Sequence, residues 1–289
     1  MFGNKTVAFV ATGGGGRSLA HTGVIQACKD LGIKFDLMIG ASSGAIATVF
    51  YSQYRNTDMV LDYFRPKKKK KHGLASFNWG VMMTTKNLFS KEISNGIFDL
   101  SYAENFFKEH LPVDNFNQLS IPTYITATNL DSREGVLFGP GTNDSVPISK
   151  ALIASCCIPL LFRPVEIEGS HYIDGEIRSP ASTIEAVIHL GADIIIVSDV
   201  YGKTIKNIAK SGMTAIASEV INMVLEDKSL RGVRTYRNKY PNKIIITIEP
   251  ELSQVSAFST KHYESSYKAG YEAAMMTLGE KLNGYGANK

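Results

Sequence analysis

Lys5-Thr6-Val7-Ala8-Phe9-Val10-Ala11-Thr12-Gly13-Gly14-Gly15-Gly16-Arg17 opens a stretch, ending at Tyr54, whose reading sets the architecture. Lys5 to Thr12 is β-rich and runs into four consecutive glycines. Leu19 to Leu31 carries apolar residues at helical spacing (Leu19, Val24, Ala27, Cys28, Leu31) and stops at Gly32. Phe35 to Ile39 is a short apolar strand, Gly40-Ala41-Ser42-Ser43-Gly44 a second turn, and Ala45 to Tyr54 an apolar helix. Strand, glycine turn and helix, repeated twice, predict an α/β fold with a parallel sheet and helices packed on its faces.

Outward from this stretch the alternation continues. Ser101 to His110 reads as helix, Ile121 to Thr128 and Gly135 to Phe138 as strands, and Ser149 to Ser155 as a short helix before Pro159. Ala192 to Val200, with Ile194-Ile195-Ile196-Val197 at its centre, predicts a strand buried on both faces. Ile205 to Tyr240 reads as mostly helical, Lys243 to Ile248 as strand, and Lys261 to Leu282 as a final helix. Arg55 to Leu100 lacks a clear period and is read as a basic cap or insertion at about 55–100 within a single domain spanning 1–289.

The chain has 289 residues, 44% apolar and 20% charged, which excludes a disordered protein. No stretch approaches the roughly 18 uninterrupted apolar residues of a spanning helix. Three cysteines, Cys28, Cys156 and Cys157, make a poor disulfide framework. With no signal-peptide pattern at the start, a cytoplasmic setting is expected. The net charge of +4 is unevenly spread: Arg55 to Lys91 holds nine Lys/Arg against Asp58 and Asp62, so the rest of the chain carries −3. That local charge, with Lys67, Lys68, Lys69, Lys70 and Lys71 at its centre, predicts peripheral contact with an anionic membrane, the competing reading being a solvated loop. No nucleic-acid partner is expected.

Gly40 to Gly44 fits G-x-S-x-G with Ser42 in the middle place. The pattern suits a sharp strand-to-helix turn in which flanking glycines relieve crowding and the serine hydroxyl stands clear. An ordinary Gly/Ser turn is the competing reading, and Ser43 is the neighbouring candidate. In the Gly13 to Gly16 turn, consecutive glycines let backbone N–H groups converge on an anion. A dinucleotide fingerprint G-x-G-x-x-G starting at Gly13 breaks at Ser18, and no phosphate-binding lysine follows. A transient oxyanion suits the turn better, although a nucleotide- or phosphate-binding module, or a membrane-binding scaffold with weak catalysis, stays open. Of His21, His72, His110, His171, His189 and His262, chain order favours His262 or His189 as a triad base. Asp174, at a turn after His171-Tyr172-Ile173, is a further candidate, though an Asp-Gly pair is commonly only a turn former. No metal-ligand cluster stands out and no cofactor is expected.

These pieces resemble the patatin-like phospholipases over most of the chain. Gly13 to Arg17 with Leu19-Ala20-His21 is similar to that family's oxyanion motif, Gly40 to Gly44 to its nucleophile elbow, and Asp174-Gly175 to its acidic motif. Ile148 to Ile158-Pro159 and Gly191-Ala192-Asp193 also match. The resemblance implies a three-layer sandwich with a mostly parallel sheet. It implies a lipid acyl-ester hydrolase of the phospholipase A or lysophospholipase kind, with Ser42 and Asp174 as a dyad and no catalytic histidine. Gly13, Gly14, Gly15 and Gly16 would form the oxyanion hole, supported by Arg17, Gly40, Gly44 and Gly175. Two residues depart from the family pattern, where glycine or alanine usually follows Asp-Gly and glycine the basic residue: Glu176 and Ser18 stand there instead.

Overall fold

A computed structural model of the chain describes residues 2–65, 100–159, 161–201, 232–252 and 262–286, with isolated positions at 220, 223–224 and 255. The lysine run and most of the segment read as a basic cap lie outside the described residues, as does most of the helix read over Ile205 to Tyr240.

The strands are β1 (Val7–Ala11), β2 (Leu37–Ala41), β3 (Thr123–Asn129), β4 (Glu134–Phe138), β5 (Val165–Ile167), β6 (Ser170–Asp174), β7 (Ile194–Ser198) and β8 (Ile244–Ile248). They form one sheet in the order β5-β6-β3-β2-β1-β7-β8, with β4 also on β3. The β3-β2-β1-β7-β8 portion is parallel throughout. β4 and β6 pair antiparallel with β3, and β5 antiparallel with β6.

The helices are α1 (Leu19–Asp30), α2 (Ser43–Tyr54), α3 (Thr57–Phe64), α4 (Ser101–His110), α5 (Ile148–Ser155), α6 (Ser179–His189) and α7 (Tyr263–Gly286), with a further helical stretch at 232–239. Alternation along the strands divides the core into two layers. Phe9, Met38, Ile194 and Ile196 pack with residues of α1, α2, α3, α4, α5 and α7. Val10, Ile39, Ile195 and Val197 pack on the opposite face with Ile184 and Val187 of α6 and with Val233 and Tyr236. The fold is therefore mixed α/β, a mostly parallel sheet flanked by helices. Burying each large aliphatic or aromatic side chain contributes about 1.5–3 kcal/mol.

Three elements differ from the reading of the sequence. β2 extends through Gly40 to Ala41, because Gly40 keeps its place beside both β1 and β3 and Ala41 its place beside β3. Thr57–Phe64, inside the segment read as an insertion, is a core helix: Val60 and Tyr63 are buried, the Tyr63 ring lies edge-on to Phe50, and the Asn56 side chain caps the Asp58 N–H. Val165–Ile167 is too short for its alternation to register as a strand.

Candidate functional site

Ser42 follows β2 directly and precedes α2, so the chain turns from strand to helix across one residue. Its φ of 51° and ψ of −131° lie in a region that side-chain-bearing residues rarely occupy. Both flanking glycines are required sterically. A Cβ on Gly40 would stand 2.5 Å from the backbone of Ala45, and one on Gly44 would stand 2.3 Å from the Thr12 carbonyl oxygen. The Ser42 N–H donates to Ser155 Oγ at the end of α5, at 2.8 Å. The serine is held with only 8% exposure.

The glycine turn lies beside it. A Cβ built on Gly13 would be 3.0 Å from Ser42 Cβ. Gly15 to Ser18 form a 3-10 turn in which Arg17 N–H donates to the Gly14 carbonyl at 3.2 Å. The first amides of such a turn have no partner within it, and among the described residues no hydrogen bond occupies the N–H groups of Gly14, Gly15 and Gly16. The Gly13 N–H, in contrast, donates to Glu176 Oε1 at 2.5 Å. Arg17 is buried, and its Nε–H donates to the Val255 carbonyl at 2.9 Å. Ser18, which breaks the dinucleotide fingerprint, pairs its hydroxyl with that of Ser43 at 2.5 Å and so joins the two βα turns. Ser43 thus faces the neighbouring turn.

Asp174 ends β6 and is 5% exposed. Its N–H donates to the Cys157 carbonyl at 2.8 Å, and its carbonyl accepts from the Thr128 hydroxyl at 2.9 Å. Its Oδ1 accepts the Glu176 N–H at 2.9 Å. The Ser42 hydroxyl lies close enough to the same carboxyl to favour its charged form. Burial pushes the Asp174 carboxyl up to about 7, against the Glu176 N–H and the Ser42 hydroxyl, which both favour its charge. Gly175 lets the following turn press its backbone onto the Thr126 carbonyl.

The structure brings Ser42, Asp174, Glu176 and the glycine turn together and leaves the two candidate triad histidines elsewhere. His189, at the end of α6, and His262, before α7, are exposed. His21 is fully buried, and desolvation lowers it to about 4, so the ring is neutral. Its Nε2 meets the Thr12 carbonyl at 2.8 Å and its Nδ1 the Ser198 hydroxyl at 2.7 Å. A carbonyl only accepts, so the proton sits on Nε2 and Nδ1 accepts from Ser198. His21 braces the end of β1 against β7.

Ser155 and Cys156 are residues of this neighbourhood to which sequence reading assigned no role. Cys156 approaches Ser42, and burial holds its thiol protonated. All three cysteines are free and buried. Among the described residues no group of three or more His, Cys, Asp or Glu side chains is placed to hold a metal ion, and no helix is long and apolar enough to cross a membrane.

A family model described as patatin-like phospholipase matches residues 9–187. The lysophospholipase nte1 of Aspergillus oryzae is 29% identical over 204 residues, covering 68% of this chain and 12% of the relative. The lysophospholipase NTE1 of Coccidioides immitis is 29% identical over 202 residues, with the same two shares. The chain thus spans about an eighth of the length of these relatives. VipD from Legionella pneumophila is similar in structure at a TM-score of 0.45 and 15% identity, over 96% of this chain and 67% of VipD. With its family match extending from within β1 to within α6, the chain belongs to the patatin-like phospholipases.

Proposed function

We propose that the chain hydrolyses a lipid carboxylic ester, with Ser42 as nucleophile, Asp174 as its base and the glycine turn as the oxyanion site. The observation that carries this reading is the strained placement of Ser42 between β2 and α2, next to a buried carboxyl of raised basicity and to the glycine turn, whose Gly14 to Gly16 amides have no partner among the described residues. Ser42 Oγ attacks the ester carbonyl carbon while its proton passes to Asp174. The carbonyl oxygen takes up negative charge and accepts from the amides of Gly14, Gly15 and Gly16, each well-placed donor contributing about 3–4 kcal/mol. The bond to the leaving alcohol then breaks, and Asp174 returns the proton to that oxygen. Water attacks the acyl-serine, Asp174 takes the water's proton, and the carboxylic acid leaves as Ser42 recovers its hydrogen.

Phospholipids or lysophospholipids are the favoured substrate class, on the family and on the nte1 relatives. The whole chain acts as one catalytic domain, since β7, beyond the family-matched residues, pairs directly with β1. The charge of Lys67 to Lys71 favours peripheral contact with an anionic lipid surface.

The test is labelling of the folded protein with a fluorophosphonate, followed by peptide mapping. The adduct is expected on Ser42 and absent from Ser42→Ala. A protein that takes no label, or takes it on another residue, overturns the assignment.

A further inference from the structure

Glu176 touches both halves of the site. It stands in the short 3-10 turn Gly175–Ile177 that follows β6. Its backbone N–H donates to Asp174 Oδ1, and its side-chain Oε1 accepts from the Gly13 N–H. Its Cγ lies 2.9 Å from the point where a Gly13 Cβ would stand, with Ser42 Cβ 3.0 Å from the same point. The Glu176 side chain and Ser42 therefore both pack against Gly13. Glu176 is 2% exposed, and its Oε2 has no hydrogen-bond partner among the described residues.

We infer that Glu176 is a positioning residue that ties the glycine turn to the Asp174 loop, and that its ionisation sets the alkaline limit of ester turnover. This rests on the Ser42–Asp174 reading above. In the neutral form, Oε1 holds the Gly13 amide and leaves the next three amides to the oxyanion. In the ionised form, a full negative charge sits in a dry pocket against the same turn, where negative charge must develop in the transition state. That repulsion raises the barrier.

The groups that face Glu176 fix the pH range. They are Asp174 at the end of β6, and Asp199 and Tyr201 just after β7. Burial pushes Glu176 up to about 8, and the two aspartates add to it; the Gly13 N–H and the Tyr201 hydroxyl act the other way. Burial keeps the Tyr201 phenol and the Cys156 thiol protonated well above their ordinary values, so neither titrates in this range. Burial raises both carboxyls, and the combination that the reaction needs is Asp174 ionised with Glu176 neutral.

The experiment is the pH profile of kcat/KM from pH 6 to 10 on a soluble short-chain ester, with the Ser42→Ala rate subtracted. Wild type is expected to rise to about pH 7 and to fall by about tenfold per pH unit above about pH 8. Glu176→Gln keeps the acceptor for Gly13 and cannot ionise, so it should rise in the same way and then stay level. Glu176→Ala loses the tie and should be slower throughout, with no alkaline fall. Amide hydrogen exchange gives a readout independent of turnover: Gly13 should stay protected in Glu176→Gln and lose protection in Glu176→Ala. An alkaline fall in Glu176→Gln equal to that of wild type overturns the role of Glu176 alone, and so does unchanged Gly13 protection in Glu176→Ala. A wild type with neither Ser42-dependent turnover nor fluorophosphonate labelling overturns the hydrolase reading, and this inference with it.

Discussion

Ala41 and Asp174 pair with consecutive residues of one strand: Ala41 with Thr126, and Asp174 with Ala127, both on β3. β4 takes the opposite edge of β3 over Ile125 to Asn129, so β2 and β6 must share the remaining edge, one beyond the other. β2 runs with β3 and β6 runs against it, so their final residues meet head to head. Ser42, the next residue after Ala41, is thereby delivered to the Asp174 carboxyl by backbone register, from positions 132 apart in the chain. A constellation built on strand ends is held more closely than one built on loops.

This placement separates the roles of adjacent serines. Ser42→Ala should lower ester turnover by on the order of 10³ or more, since it removes the proposed attacking atom. Ser43→Ala removes only the hydroxyl pair with Ser18, costing about 1 kcal/mol of stability and leaving turnover within roughly tenfold. Steady-state kinetics on both variants, with melting curves to check folding, decide the matter. Full turnover in Ser42→Ala would contradict the proposed chemistry.

The site was partly legible in the sequence because its two turns carry their own steric signature. Gly40 and Gly44 are demanded by backbone contacts within a single βα unit, which leaves a local pattern. Glu176 and Ser18 looked like departures that weakened two motifs. Their partners, Gly13 and Ser43, are 163 and 25 residues away, and long-range pairing leaves no periodic trace. Glycine also misled at β2, where Gly40 signals a turn but stays in the ladder because α2 packs against it. The pairing of β6 beyond β2 is a property of the whole sheet, and Asp174 alone could be read only as a turn former or by resemblance.

Asp174→Asn should abolish most turnover and reveal the cost of the buried carboxyl. Activity in wild type should fall as pH drops below about 7, where Asp174 becomes protonated and loses its proposed role as base. Stability runs the other way. A carboxyl raised on folding binds its proton more tightly in the native state, so its stabilising contribution is complete below the ordinary value of about 4 and is lost as pH rises to about 7. Asp174→Asn should therefore gain in melting temperature over wild type between pH 4 and 8. A difference that does not change with pH would show that Asp174 is not buried as a strained base.

Gly44→Ala tests the elbow without touching a reacting group. Its methyl would lie 2.3 Å from the Thr12 carbonyl oxygen and 2.6 Å from that of Ala11, and neither backbone atom can retreat without disturbing β1. The expected loss is several kcal/mol, above the usual range of about 0.5–3 kcal/mol for single substitutions. Denaturant titration measures it; a loss under about 1 kcal/mol would mean that the two turns are packed less closely than described.

His189→Ala and His262→Ala should each keep turnover within about twofold and stability within about 0.5 kcal/mol, as expected for exposed positions. His21→Ala should instead lower stability by about 1–3 kcal/mol, because it strands the Thr12 carbonyl and the Ser198 hydroxyl in a buried setting. A well-folded His262→Ala that loses turnover would restore a conventional triad.

The lysine run is a concentrated block of positive charge. Five consecutive lysines, Lys67 to Lys71, can each contribute about 1 kcal/mol near an anionic bilayer. Salt screens such attraction, with a Debye length near 10 Å at 0.1 M falling to about 3 Å at 1 M. Leu74, Phe77, Trp79 and Met82 follow closely in the chain and could add apolar contact, tryptophan being well suited to the bilayer interface. Co-sedimentation should then show binding to phosphatidylserine-containing vesicles, weaker binding to phosphatidylcholine vesicles, and release at high salt. Replacing Lys67 to Lys71 with serine should reduce the vesicle-bound fraction while leaving hydrolysis of a soluble ester unchanged, since Ser42 and Asp174 are untouched. Equal vesicle binding by the serine variant and wild type would reduce the run to a solvated stretch of chain, with adsorption, if any, resting on other residues.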